Sequence, residues 1–327
     1  MTKYISRREF LKNSALTAAV LGIAPNLAVP AVREGRDSKG LPTRTLGNTK
    51  EVVPPLALGT GSRFCAVEDE DEALELLTYA LDHGFYYWDT AHSYDYNGVV
   101  SEERLGKILK HRRNEVFLST KVDNRDPDAA KAQIEQSLTR LQTDHVDILK
   151  IHSIQSTGDA RDIGSPNGVL QVVQKAKEEG LAKYIGFTGH TSAEAMAMMA
   201  EQYDFDTMLI ALNHYQQGNQ PFEEKAIPTA KSKGMGVIVM KVIRPRETVR
   251  SVTPRDLIRY ALSLKNADAA VVGTDSLQVL KENIQLVKNF TPMTDSEMEE
   301  MHSALTPFYR HQGLEWMEPH YQDGYRT

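Results

Sequence analysis

Four side chains in this sequence are placed to handle protons and charge. Asp89 ends a short aromatic run, Phe85-Tyr86-Tyr87-Trp88, and Tyr94 follows in what reads as a loop. Lys121 ends a second apolar run that starts at Val116, and His152 ends a third that starts at Val146. Runs this short and this apolar suit strands buried on both faces. A carboxylate at the end of such a strand is costly to bury unless a cation or hydrogen bonds meet it. Lys121 is such a cation. If the three strands are parallel neighbours, a carboxylate, a phenol, an ammonium and an imidazole meet at one rim. Each alone reads as ordinary packing or a salt bridge; their joint position at strand ends is what points to chemistry.

The elements that must position them alternate. Thr43–Leu46, the turn Gly47-Asn48 and Val52-Val53 read as a β-hairpin, and Leu56–Thr60 as the first long strand. Then come helix 70–83, stopped by Gly84, the Phe85 strand, helix 101–110, strand 116–121, helix 128–141 and strand 146–152. The second half repeats the theme with helix 169–179, strand 184–188, helix 192–202, strand 208–212, helix 223–233 and strand 236–240. Helix 254–264, strand 269–272 and helix 277–289 close it. Eight strand–helix units with short connections predict an α/β fold, a (β/α)8 TIM barrel preceded by the hairpin. A last helix, 295–305, leads into a tail rich in aromatics. No linker divides residues 39–327, which form one expected domain. The chain has 327 residues, 41% hydrophobic and 25% charged, with a formal net charge of -6, which argues against nucleic acid or anionic membrane as main partners. The single cysteine, Cys65, excludes an internal disulfide and reads as packing. No spacing of His with carboxylates suggests a metal, and the Gly-x-Gly-x-x-Gly fingerprint is absent after the first strand.

The motifs Asp-Thr-Ala-x-x-Tyr (89–94), Ser-Thr-Lys (119–121) and Ile-His-Ser (151–153), in this order, resemble those of the aldo-keto reductase family. The resemblance runs from about Pro42 to Phe290. It implies hydride transfer between a nicotinamide and a carbonyl or alcohol: an aldehyde, ketone or sugar. Tyr94 would be the general acid. A free phenol has a pKa near ~10 and is a reluctant acid at neutral pH. An adjacent ammonium makes it a better one, and a carboxylate fixes that ammonium; these are the implied roles of Lys121 and Asp89. His152 would orient the carbonyl by a preorganised hydrogen bond.

The resemblance also implies that the hairpin plugs the barrel floor and that the cofactor lies across the barrel top. The implied contacts are Gly59, Thr60, Thr188, Asn213, Met240, Lys241, Val242, Ile243, Gly273, Thr274 and Asn283. Phe64 and Tyr96 would wall the substrate. Thr188-Gly189-His190 stands where the family often has a Ser-Asn pair, and Met240 where it often has an aromatic. NADP is the family's default, yet Gly273 and Val279 stand where 2′-phosphate-selective members carry Lys or Arg, so NAD is an alternative. A nicotinamide-binding sensor with little or no turnover is the competing reading. A sugar isomerase on an unrelated barrel is a third, and it would need a metal.

Ser6-Arg7-Arg8-Glu9-Phe10-Leu11-Lys12, followed by a short apolar segment, resembles a twin-arginine export signal. Its apolar part is too short for a comfortable membrane span. Residues 1–31 are therefore expected to be a signal read by the export machinery, which implies a periplasmic or cell-envelope location. No heptad repeat or long apolar patch is evident, and a monomer is expected.

Overall fold

The computed structural model describes residues 35–211, 222–247 and 249–309. The expected signal segment, Asn213 and the aromatic tail beyond Tyr309 lie outside the described residues.

Eight parallel strands close into a barrel, in chain order β3 (Leu56–Gly59), β4 (Tyr87–Asp89), β7 (Phe117–Val122), β8 (Val146–Ile154), β9 (Ala182–Gly189), β10 (Thr207–Ala211), β11 (Gly236–Met240) and β12 (Ala269–Gly273). β12 pairs back onto β3 through Gly273 and Gly59, which closes the cylinder and removes the open edge. The antiparallel hairpin of β1 (Arg44–Thr45) and β2 (Val52–Val53) precedes it, joined by a 3-10 turn at Gly47–Thr49. Gly47 has a φ of 51° and lies against the backbone of Met235 and Gly236, where no side chain would fit.

Among the described residues, two apolar sets form the core. The larger lies between the strands and the surrounding helices and includes Trp88, Leu118, Phe187 and Val239. The smaller lies inside the barrel, where Leu46 and Val53 from the hairpin meet Tyr87, Phe117, Ile148, Leu209 and Ile238. The alternation of side chains along each strand produces both sets: Trp88 faces out, Tyr87 and Asp89 face in.

The helices begin where the side chains supply caps. Asp69 accepts from the amide of Glu72 to start the helix Glu70–Asp82, and Asp126 accepts from Ala129 with Pro127 in the first turn of Pro127–Arg140. Thr253 and Asp256 form a reciprocal capping box before Pro254–Ser263. The expected elements recur within one to three residues at most ends. The exceptions are the helix expected at 223–233, which starts as a π-helical turn, Phe222–Ala226, before Ile227–Ser232, and the last helix, which reaches Tyr309. The features not expected include a turn of helix at Ser62–Cys65, a ladder of β5 (Asp95–Tyr96) with β6 (Val99–Val100), and the helix Thr157–Ile163. All three sit in connections after the C-terminal ends of barrel strands, where runs are too short for a periodic signal.

Candidate active site

Asp89 is the last residue of β4 and points into the barrel, 2% exposed. Its neighbour in register is Ser119 on β7, which donates to Oδ1 at 2.9 Å. One pleat further along β7, Lys121 turns inward as well, and its Nζ donates to Asp89 Oδ2 at 2.6 Å, to the Thr90 carbonyl at 2.7 Å and to the Tyr94 hydroxyl at 3.1 Å. The same ammonium stands 4.7 Å from the centre of the Tyr94 ring. His152, 2% exposed near the end of β8, has its ring edge-on to that of Tyr94 at 6.0 Å between centres. The structure therefore brings together all four side chains that the sequence singled out.

Three further polar residues complete the cluster, and the sequence reading did not name them. Lys150 is wholly buried and donates to Asp89 Oδ1 at 2.7 Å; its ammonium also bonds the Ser119 hydroxyl. Asp123 accepts from His152 Nδ1 at 2.5 Å and from Ser93 Oγ at 3.0 Å. Arg125 donates to the backbone carbonyls of His152 and Ser153 at 2.8 and 3.0 Å. Strand period alone could have flagged two of them: Lys150 lies two residues before His152, and Asp123 two after Lys121.

The charges in this cluster act on one another. Burial pushes the Asp89 carboxyl upward, but the ammonium groups of Lys121 and Lys150 outweigh it and hold it down at about 2. Burial drives Lys150 the other way, down to about 8; Asp89 resists that fall and Lys121 adds to it. One carboxylate thus faces two lysines. Burial likewise raises Asp123, and the charge and hydrogen bond of His152 more than reverse that, leaving it below the usual carboxylate range. Because Asp123 accepts from Nδ1–H, the other ring nitrogen of His152 carries a proton to donate only when the ring is the imidazolium.

The remaining expected residues divide. Gly59 and Gly273 face each other at the C-terminal ends of neighbouring strands. Thr188 accepts from the amide of Ser153 at 2.8 Å, and Ser153 Oγ lies 3.1 Å from His190 Nδ1. Met240 belongs to the apolar set inside the barrel. Lys241 has a φ of 61°, a left-handed conformation unusual for a non-glycine residue, and turns the chain out of β11. Thr274 is buried, and so is Asn283, whose Nδ2 has no hydrogen-bond partner among the described residues.

Other expected positions lie deeper. Thr60 is wholly buried, and its hydroxyl donates to the Asp89 carbonyl at 3.1 Å and accepts from the Ser101 hydroxyl at 2.9 Å. Val242 packs in the outer core, with Ile243 partly buried against it. Phe64, expected on the substrate wall, has no exposed surface and lies under the Arg104 guanidinium, 5.8 Å from the ring centre. Tyr96 is half-buried in the β5–β6 ladder. Beside Gly273, where the sequence has no cation, Arg63 reaches in from the connection after β3 and bonds Asp275 at 2.7 Å. Among the described residues no cluster of His, Cys, Asp and Glu is arranged to hold a metal, and no helix is long and apolar enough to cross a membrane.

Comparison with known proteins decides the family. The Aldo/keto reductase family matches residues 55–245, a span that takes in all four inward-facing residues. The chain belongs to the aldo/keto reductase family. It is an NAD(P)-dependent oxidoreductase with the (β/α)8 fold of that family. One relative, the L-galactose dehydrogenase of Arabidopsis thaliana, is 27% identical over 308 residues, covering 81% of this chain and 94% of its own length. The holo form of an aldo-keto reductase from Bacillus halodurans shares the fold with a TM-score of 0.67 at 23% identity, over 81% of this chain and 96% of that one. An aldo-keto reductase from Klebsiella pneumoniae, solved in complex with NADPH, gives a TM-score of 0.67 at 18% identity, over 82% and 96% of the two chains.

Proposed function

We propose that this aldo/keto reductase interconverts a small carbonyl compound and its alcohol, sugars included, with Tyr94 as proton donor and acceptor. The observation that carries this reading is the position of Lys121 Nζ, bonded at once to the Tyr94 hydroxyl and to Asp89 inside the barrel. An ammonium held there favours the phenolate and makes Tyr94 a better acid toward a substrate oxygen. His152, as the imidazolium paired with Asp123, donates to the same oxygen and orients the carbonyl. Asp89, braced by Ser119, keeps Lys121 in place.

The residues present fit a nicotinamide dinucleotide, because the buried, unpartnered amide nitrogen of Asn283 and the buried Thr274 offer polar contacts beyond the end of β12. When bound, the cofactor supplies or accepts the hydride. Gly59, Thr188, Lys241 and Gly273 are the side chains and backbone that would hold it. NADP(H) is favoured: the Klebsiella relative is solved with NADPH, and Arg63 can supply a cation for the 2′-phosphate that Gly273 and Val279 lack. The sugar assignment rests on the L-galactose dehydrogenase relative. The arginine pair at Arg7-Arg8 adds export by the twin-arginine route to this reading; cell fractionation of the wild type against the double Lys variant tests it.

The central experiment follows absorbance at 340 nm with NADPH and then NADH, against aldehydes, ketones and sugars, for wild type and Tyr94→Phe. Turnover that falls by about 10²–10⁴-fold in Tyr94→Phe with cofactor binding intact is the expected result. Equal turnover in the two proteins would sink the assignment of Tyr94. Binding without turnover in either would mark a sensor.

A further inference from the structure

Lys150 has no part in the scheme above, yet it is a wholly buried charge-bearing group at the centre of the barrel. Its place is built. On β8 it is in register with Lys121 on one side and Gly186 of β9 on the other. A side chain at Gly186 would collide with Thr207 and come within 3.3 Å of Lys150 Cγ, so the glycine leaves the lane along which Lys150 runs. Its ammonium ends on Asp89 Oδ1 and Ser119 Oγ, while Lys121 holds Oδ2. A barrel interior that needed only volume here would be served by Met or Leu, without the desolvation of a second cation.

The charge balance gives this arrangement a consequence. With both lysines protonated, the cluster carries one net positive charge, directed through Lys121 at the Tyr94 hydroxyl 3.1 Å away. When Lys150 loses its proton, Asp89 and Lys121 neutralise each other and that excess vanishes. Among the described residues, the other ionisable groups facing this space are Tyr87, two residues before Asp89 on the same inward face, and His152, two residues beyond Lys150 on its own strand. From β9 and β10 the neighbours are Gly186 and Thr207, neither of which titrates. Burial and Lys121 bring Lys150 down to about 8, which puts its transition within reach of ordinary conditions.

We infer that Lys150 is a positioning residue for the reaction, setting the acidity of the Tyr94 hydroxyl through Asp89 and Lys121. The inference rests on the assignment of Tyr94 as proton donor and acceptor. In alcohol oxidation Tyr94 must first be deprotonated, so the acid limb of kcat/KM reports it. Lys150→Met keeps the bulk and removes the charge. In oxidation of 4-nitrobenzyl alcohol with NADP+, this variant should show the acid limb moved up by roughly one pH unit, with NADPH affinity unchanged.

A second measurement needs neither turnover nor a folded Lys150 variant. Carbon-13 NMR of lysine Cε in the wild type should show a lysine with a midpoint near 8, and that midpoint should move in Tyr94→Phe, because coupled groups shift each other reciprocally. An unchanged pH profile in Lys150→Met, with Tyr94→Phe inactive, would overturn this inference and leave the reductase assignment standing. So would a lysine midpoint that is the same in wild type and Tyr94→Phe, or no lysine titrating below ~10. Full activity in Tyr94→Phe would instead remove the assignment on which the inference rests.

Discussion

The two levels of the barrel interior differ in kind although the same strands build both. At the lower level Tyr87, Phe117 and Ile148 pack against Leu46 and Val53 of the hairpin. One pleat up β4 and two up β7 and β8, those strands present Asp89, Lys121 and His152, with Lys150 just below His152. The lower level derives its stability from apolar area removed from water, which tolerates exchange among residues of similar size. The upper level has several ionisable groups away from water, and each is stable only while the others keep their charges. One level fills the floor of the barrel and the other holds the residues proposed to move the proton, so damage to them should look different.

Asp89→Asn should be the most harmful single change. It leaves two buried lysines facing each other without a counter-ion, and urea unfolding should show a loss of about 3–5 kcal/mol, along with loss of turnover. The sign with pH follows from Asp89 being held at about 2 in the folded chain. Its stabilisation is fully present above the unfolded carboxyl value of ~3.9 and is lost as pH falls toward the folded value. The gap between wild type and variant should therefore narrow below about pH 4.

Leu46→Ala opens a cavity in the wholly buried floor. A loss of about 2–5 kcal/mol in the same unfolding assay is expected, but with kcat per folded molecule unaltered. A large fall in kcat would mean that the two levels are coupled more tightly than the packing suggests.

Asp123→Ala acts only at the rim. It removes the carboxylate that stabilises imidazolium at His152, so carbonyl reduction should lose activity about one pH unit earlier on the alkaline side, with little change in unfolding midpoint. A pH–rate profile of aldehyde reduction checks it.

Tyr87→Phe tests the floor in the opposite direction. The Tyr87 hydroxyl is buried with no hydrogen-bond partner among the described residues, and burial followed by the charge of Asp89 pushes its pKa up. Removing it should stabilise the protein by about 1 kcal/mol or slightly more. A destabilised variant would show that the hydroxyl has a role in holding the upper level.

How much of this was legible beforehand varies by residue. Asp89, Lys121 and His152 could be read because each ends a strand-like run, and strand ends at one side of a parallel barrel must converge. Gly84 and Gly180 could be read as stops, and both take positive φ after helices. Phe64 could not be placed. An aromatic in a short connection looks the same in sequence whether it faces a ligand or packs beneath Arg104. Arg63 beside Gly273 was equally hidden, since the 212 positions separating it from Asp275 vanish only when β12 closes onto β3.

The order of strands and helices, the hydrophobic faces that make them pack, and the residue types at the rim were determined by the sequence alone, because local periodicity and turn chemistry act over a few residues. Which charges share a hydrogen bond was decided only by the tertiary structure. Strand period puts Lys150 on the same face as His152, but a lysine there gains its meaning from a carboxylate 61 residues away. Barrel closure and strand register put the two 2.7 Å apart and out of water, and there a neighbour's charge counts for far more than it would in the unfolded chain.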